Sequence, residues 1–169
     1  MVGDNLVPGV GYWVFLGNAL TTTTDMLWTV NGPAQTGPFP ITLTKGAATT
    51  SVSTPGWNLI SNPFPSPINW NSVMASNPTA AVNDAYYVYD PDLGNTVSFV
   101  NGIASPASST LTNYQTMADI ISNGSSVLCR GNRDTGLNFN EGDKSANNTT
   151  NFQLLKQVRR QQVLVAHLF

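Results

Sequence analysis

Charge is what this sequence most lacks. Asp, Glu, Lys and Arg together make up 9% of its 169 residues, against about a quarter in ordinary soluble proteins. Seven basic residues stand against nine acidic ones, for a formal net charge of -2. A nucleic-acid surface needs a basic face to neutralise phosphates. The short basic pairs Arg130/Arg133 and Arg159/Arg160 do not make one, so no nucleic-acid partner is expected. There is one cysteine, Cys129, so no internal disulfide can form. One cysteine and one histidine, His167, cannot make a zinc site. No apolar run approaches the length of a membrane span. The opening Met1-Val2-Gly3-Asp4-Asn5 has neither the basic start nor the apolar core of a signal peptide.

Catalytic groups are scarce as well. Nucleophilic catalysis needs a nucleophile, a base and an orienting group. His167 is the third residue from the end, in a strand-like run, and no Gly-x-Ser-x-Gly elbow occurs. Cys129 has no neighbouring motif that would activate a thiol. Glycoside hydrolysis uses paired carboxylates, and the one glutamate, Glu141, has only Asp143 beside it. No glycine-rich phosphate loop is present. These absences predict no catalytic residues, no cofactor and no enzyme.

What is present points to a packed β domain. Hydrophobic residues make up 41%, with four Trp, seven Phe and five Tyr to bury. That is core material for one domain over residues 1–169. With charge so sparse, Thr, Ser, Asn and Gln must supply the polar surface, a composition common in secreted β-rich proteins. An extracellular or cell-surface location is expected.

Short apolar runs alternate with Gly, Pro, Asn and Ser. Tyr12 to Leu16 follows Pro8-Gly9 and Gly11. Met26 to Val30 ends in Asn31-Gly32, a strong turn signal. Ile41 and Leu43 alternate with threonines at period two. Trp57 to Ile60 follows Pro55-Gly56. Ala85 to Tyr89 and Val97 to Val100 form a hairpin pair across the turn at Asp90-Pro91-Asp92-Leu93-Gly94. Ile120-Ile121, Leu137 to Phe139, Phe152 to Leu155 and Val163 to Leu168 complete about ten strands. This predicts an all-β fold, a β-sandwich or jelly roll. One short helix is expected near 68–75, capped by Asn69 or a neighbour. The Ser- and Thr-rich stretch 104–116 reads as a long loop or irregular edge. No internal repeat is visible.

Three features invite a site. Asp84, Asp90 and Asp92, with Asn95, place hard oxygen ligands around one turn and make a candidate calcium site. The spacing is not that of an EF-hand, and Asp-Pro-Asp-Leu-Gly is also an ordinary hairpin turn. Trp13, Trp28, Trp57 and Trp70 offer possible stacking surfaces for a glycan. Asn123-Gly124-Ser125 and Asn147-Asn148-Thr149 match the N-glycosylation pattern, which an Asn- and Thr-rich chain produces by chance.

The most informative stretch runs from Gly56 to Trp70, with Trp57, Asn58, Asn62, Pro63, Phe64, Pro65 and Trp70 at its key positions. Trp57, Leu59 and Phe64 read as core anchors. Asn58 and Asn62 are placed to bond backbone across a corner. Pro63, Pro65 and Pro67 fix an extended crossing, and Trp70 seats the helix. The stretch resembles a signature of large secreted surface proteins of the Bacteroidetes, which typically end in a type IX secretion sorting domain. There a Gly-Trp-Asn-Leu-Ile-Gly-Asn-Pro-Tyr-Pro-Ser run leads to Ile-Asp-Trp. Ser61, Phe64 and Asn69 replace the commoner Gly, Tyr and Asp. Pro8-Gly9-Val10-Gly11-Tyr12-Trp13-Val14, Ala85 to Asp90 and Leu137 to Lys144 resemble other segments of the family in the same order, and the likeness spans roughly residues 8 to 155. The segment Ser125 to Arg133 departs from the family's Ser-Phe-Tyr-Val-type strand. Its letters can be encoded so that a one-nucleotide shift gives Phe-Tyr-Ala-Glu-Ala-Thr, the pattern of a local frame error.

The resemblance implies a β-sandwich module, or a fragment of one, within a longer surface protein. Two functions are expected. One is a structural or adhesive module that self-associates or joins neighbouring modules through strand edges. The other is a carbohydrate-binding ancillary module of a secreted multidomain enzyme, which requires exposed indoles.

Overall fold

The computed structural model describes residues 6–15, 32–47, 55–78, 82–90, 93–100, 103–106, 119–123, 125–146 and 163–166. The fold is all-β with one short helix. Antiparallel strands β1 (Tyr12–Phe15), β2 (Phe39–Leu43), β3 (Trp57–Ser61) and β4 (Ile68–Asn69) precede helix α1 (Trp70–Ser76). Then come β5 (Val82–Asp90), β6 (Asn95–Val100), β7 (Ile103–Ser105), β8 (Ile120–Ile121), β9 (Ser126–Gly131) and β10 (Thr135–Phe139). A 3-10 turn at Glu141–Asp143 and β11 (Val163–Ala166) follow.

Five strands form the main sheet in the order β3-β9-β5-β6-β7, and β1-β11, β2-β10 and β4-β8 form two-stranded ribbons. The expected hairpin is present as β5-β6, with Tyr87 opposite Ser98 and Tyr89 opposite Thr96. Asp90 closes its turn by accepting the Leu93 N–H at 3.2 Å, as a short acceptor at the head of a turn does.

One core joins the main sheet to the β2-β10 and β4-β8 ribbons and the helix. Ile60, Tyr86, Val88, Val97, Phe99, Val127 and Cys129 meet Ile41, Leu43, Leu137 and Phe139 of β2 and β10. Phe64, Ile68, Trp70 and Val73 close one side of it. Trp70 is fully buried, edge-on to Tyr86 at 5.6 Å.

The expected helix begins two residues later than its anticipated start. Ile68 and Asn69 pair with Ile121 and Ile120. The side chain of Asn69 accepts the Ser72 N–H at 3.1 Å, capping α1 as expected. Of the stretch 104–116, expected as a long loop or irregular edge, Ala104 and Ser105 belong to β7, the last strand of the main sheet, and 107–116 lie outside the described residues.

The strand β9 was not anticipated, yet it is the second strand of the main sheet. Val127 and Cys129 point to the core, while Leu128 and Arg130 alternate outward and are half-buried. As written, the segment has the two-residue period a central strand needs. The expected runs at 26–30 and 152–155 lie outside the described residues.

Asparagine amides staple the corners. Asn58 donates to the Thr44 carbonyl and accepts the Thr44 N–H, each at 3.0 Å, so its side chain pairs with β2's end as a strand backbone would. Asn77 does the same with Asn138, at 2.7 and 2.8 Å. Asn62 donates to the carbonyls of Ser66, Ile121 and Ser122 and accepts the Phe64 N–H at 2.9 Å. The expectation that Asn58 and Asn62 bond backbone at a corner holds.

Candidate functional site

The period of β3 decides which residues of the signature can work on the surface. Asn58 and Ile60 turn inward, so Trp57 and Leu59 turn outward. Trp57 is 47% exposed and Leu59 half-buried. This corrects the expectation that both are core anchors: in a strand, successive side chains take opposite faces. Of the three proposed anchors only Phe64 is in the core.

Residues opposite one another across neighbouring strands share a face. Leu59, Leu128 and Tyr87 therefore form one row across β3, β9 and β5. Trp57 stands opposite Arg130 one step away, and Tyr89 lies one step beyond Tyr87 on the other side. The indole of Trp57 meets the ring of Tyr87 edge-on, with centroids 5.1 Å apart.

The fourth ring comes from the other side of β3. Gly9 and Gly11 pair with the free edge of β3: Gly11 N–H donates to the Leu59 carbonyl and Ser61 N–H to the Gly9 carbonyl, both at 3.0 Å. A Cβ at Gly11 would lie 2.5 Å from the Leu59 side chain and 3.1 Å from that of Ser126, so only glycine fits this approach. The chain then carries Trp13 to Tyr89, edge-on at 6.1 Å, with Trp13 51% exposed. The result is a shallow trough. Leu59, Leu128 and Tyr87 make its floor, and half-exposed indoles stand at its two ends.

Arg130 is the charged residue beside Trp57. Its Nε donates to the Pro55 carbonyl at 3.3 Å, which ties the guanidinium to the segment that leads into β3.

The other candidate residues are not gathered into a site. Asp84 is exposed and six residues from Asp90 on β5, about 20 Å along an extended strand. One cation cannot bridge that span. Asp92 lies outside the described residues, and Asp90 is buried in its turn. Among the described residues no three of His, Cys, Asp and Glu could hold a metal ion together. The Cys129 thiol is buried, and burial pushes its pKa up to about 12, so it stays protonated and a poor nucleophile.

The pair Glu141 and Asp143 serves structure. Lys144 and the Gly37 N–H bond the Glu141 carboxylate, at 2.5 and 2.7 Å, and hold it below its usual range. Asp143 is buried and accepts from Ser76 and from the Asn140 N–H. The Lys144 ammonium also sits 4.6 Å above the Phe64 ring. Trp70 is buried and offers no stacking surface, while Trp28, Asn147 and His167 lie outside the described residues. Among the described residues no helix is long and apolar enough to cross a membrane.

Sequence reasoning found all four aromatic residues but not their convergence. The glycine spacing before Trp13 was the available signal for the crossing. No protein-family model, no curated protein and no solved structure matches the chain.

Proposed function

We propose that this chain is a non-enzymatic structural or adhesive module of an extracellular or cell-surface protein, working by contact through the outer face of its main sheet. The β2-β10 ribbon and that sheet read as the two leaves of a β-sandwich, in keeping with the Bacteroidetes resemblance. The observation that carries the reading is the pair of half-exposed indoles, Trp13 and Trp57, held on one face by tyrosines. Large exposed aromatic patches mark contact surfaces. The scattered, structurally engaged carboxylates and the buried thiol support the non-enzymatic part.

Strand addition at the β3 edge of the main sheet is blocked, which favours this face over that edge as the contact. A strand cannot be added where Gly9 to Gly11 already pair. A second reading, a carbohydrate-binding ancillary module, uses the same face and is favoured by the exposure of the same two indoles.

The test is a Trp13→Ser/Trp57→Ser double variant compared with the parent chain. Both are taken through sedimentation equilibrium and binding to immobilised polysaccharide. Loss of self-association or of polysaccharide binding, with unchanged circular dichroism, is the expected result. Identical behaviour of the two chains in both assays removes the face from the reading. Turnover of a glycan or peptide substrate by the purified chain removes the non-enzymatic part.

A further inference from the structure

Resting on the reading of the outer face as the contact surface, we propose that the trough between Trp57 and Trp13 is a binding site for a neutral polysaccharide strand. Its dimensions argue first. The row of Trp57 and the row of Tyr89 are four residues apart along β9, which is about 13 Å. Its floor spans three strands, or about 10 Å of width at the usual strand spacing. That is on the order of 150 Å², against about 800 Å² per partner in a stable protein interface. That footprint alone falls short of a stable protein interface and matches the width of a narrow polymer.

Its chemistry argues second. Trp57, Leu59, Leu128, Tyr87, Tyr89, Thr96 and Ser98 lie in its rows, and among the described residues Arg130 is the charged one in register with them. An anionic polymer would need several cations to offset its charge. An acidic or basic peptide would need complementary groups that these rows do not supply. Sugar rings present apolar C–H faces and hydroxyl edges. The indoles can take the faces. The tyrosine hydroxyls and the guanidinium fork of Arg130 can meet the edges.

Preorganisation argues third. Each indole is buttressed edge-on by a tyrosine, at 5.1 and 6.1 Å. Rings already held in place lose little freedom when a ligand stacks on them.

Affinity electrophoresis in native gels tests the assignment. The probes are hydroxyethylcellulose, mixed-linkage β-glucan and galactomannan, with polygalacturonate as the anionic counterpart. The parent chain is expected to be retarded by at least one neutral polymer and not by polygalacturonate. Trp57→Ala and Trp13→Ala should each weaken retention by about tenfold, the equivalent of about 1.4 kcal/mol, with an unchanged melting curve. Trp57→Phe should keep most of the binding. Arg130→Ala should weaken it by about threefold.

Retardation by polygalacturonate alone overturns the inference. So does failure on all three neutral polymers, or binding that the tryptophan variants leave unchanged. If the polymers fail but the tryptophan double variant loses self-association, the contact face stands and only the ligand assignment falls. If neither property responds, both fall.

Discussion

On the inner face of the main sheet, Ile60, Val127, Cys129, Tyr86, Val88, Val97 and Phe99 are withdrawn from water. On the outer face of the same strands, Trp57, Leu59, Leu128, Tyr87 and Tyr89 keep part of their surface in it. Both faces carry large apolar and aromatic residues, so these alone do not separate them. What separates them is cover. The inner face is roofed by β2, β10 and α1, whereas among the described residues the outer one is met by the crossing at Gly11 and by Trp13 of β1. The two faces should therefore answer mutation differently, one in stability and the other in contact.

The largest difference is expected between two tryptophans of the same signature. Trp70→Ala empties a fully buried site and should cost about 3–5 kcal/mol. Trp57→Ala on the outer face should cost under about 1 kcal/mol. Urea denaturation of the two variants measures both, and equal losses would erase the distinction between the faces.

Next comes the corner at Asn62. Asn62→Ala takes the side-chain partner from the Phe64 N–H and from the Ser66 and Ile121 carbonyls, while the Ser122 carbonyl keeps the Ser125 N–H, so a loss of about 2–4 kcal/mol is expected. Asn62→Asp keeps the shape but sets a carboxylate against those carbonyls. It should be worse than alanine at neutral pH and recover in part on acidification. A carboxylate variant insensitive to pH would mean that the amide protons are not what holds the corner.

A smaller effect separates the faces at high pH. The unfolded Cys129 thiol ionises from about pH 9.0, whereas the buried one holds its proton to about 12. The unfolded chain thus releases a proton that the native chain keeps, and stability falls as pH rises through that window. Cys129→Ala should remove this alkaline slope. Native protein should react with a thiol reagent only at its rate of opening.

The smallest effect is at Glu141. Lys144 and the Gly37 N–H lower its pKa from 4.5, so its contribution is present above that value. It is lost as pH falls through the lowered folded value. Glu141→Gln should flatten the acid limb of the stability curve only slightly, because the carboxylate is exposed. A large loss at neutral pH would show that this latch, and not the core, secures the Gly37 segment.

Much of the fold was legible. The β5-β6 hairpin followed from two aromatic and β-branched runs around an Asp-Pro-Asp-Leu-Gly turn. The cap at Asn69 and the amide staples at Asn58 and Asn62 followed from side chains that compete for backbone groups. The strand β9 was missed because its departure from the family's strand pattern reads as a frame error, although its alternation was in the letters. The outward turn of Trp57 and Leu59 was missed because large apolar residues were assigned to the core by size, when strand period had already put them opposite Ile60. The trough itself was not legible. It is made where Gly11 crosses β3, about fifty residues away in the chain, and local pattern carries no information on that approach.

The amide staples at Asn58, Asn62 and Asn77 have a consequence for where such a chain can work. An amide does not titrate, and it gathers no counter-ion cloud for dissolved salt to thin. Corners fastened this way are indifferent to whether the surrounding liquid is fresh or briny, mildly sour or mildly alkaline. With so few charges elsewhere, the architecture brings its own constancy and does not depend on a regulated medium to supply it.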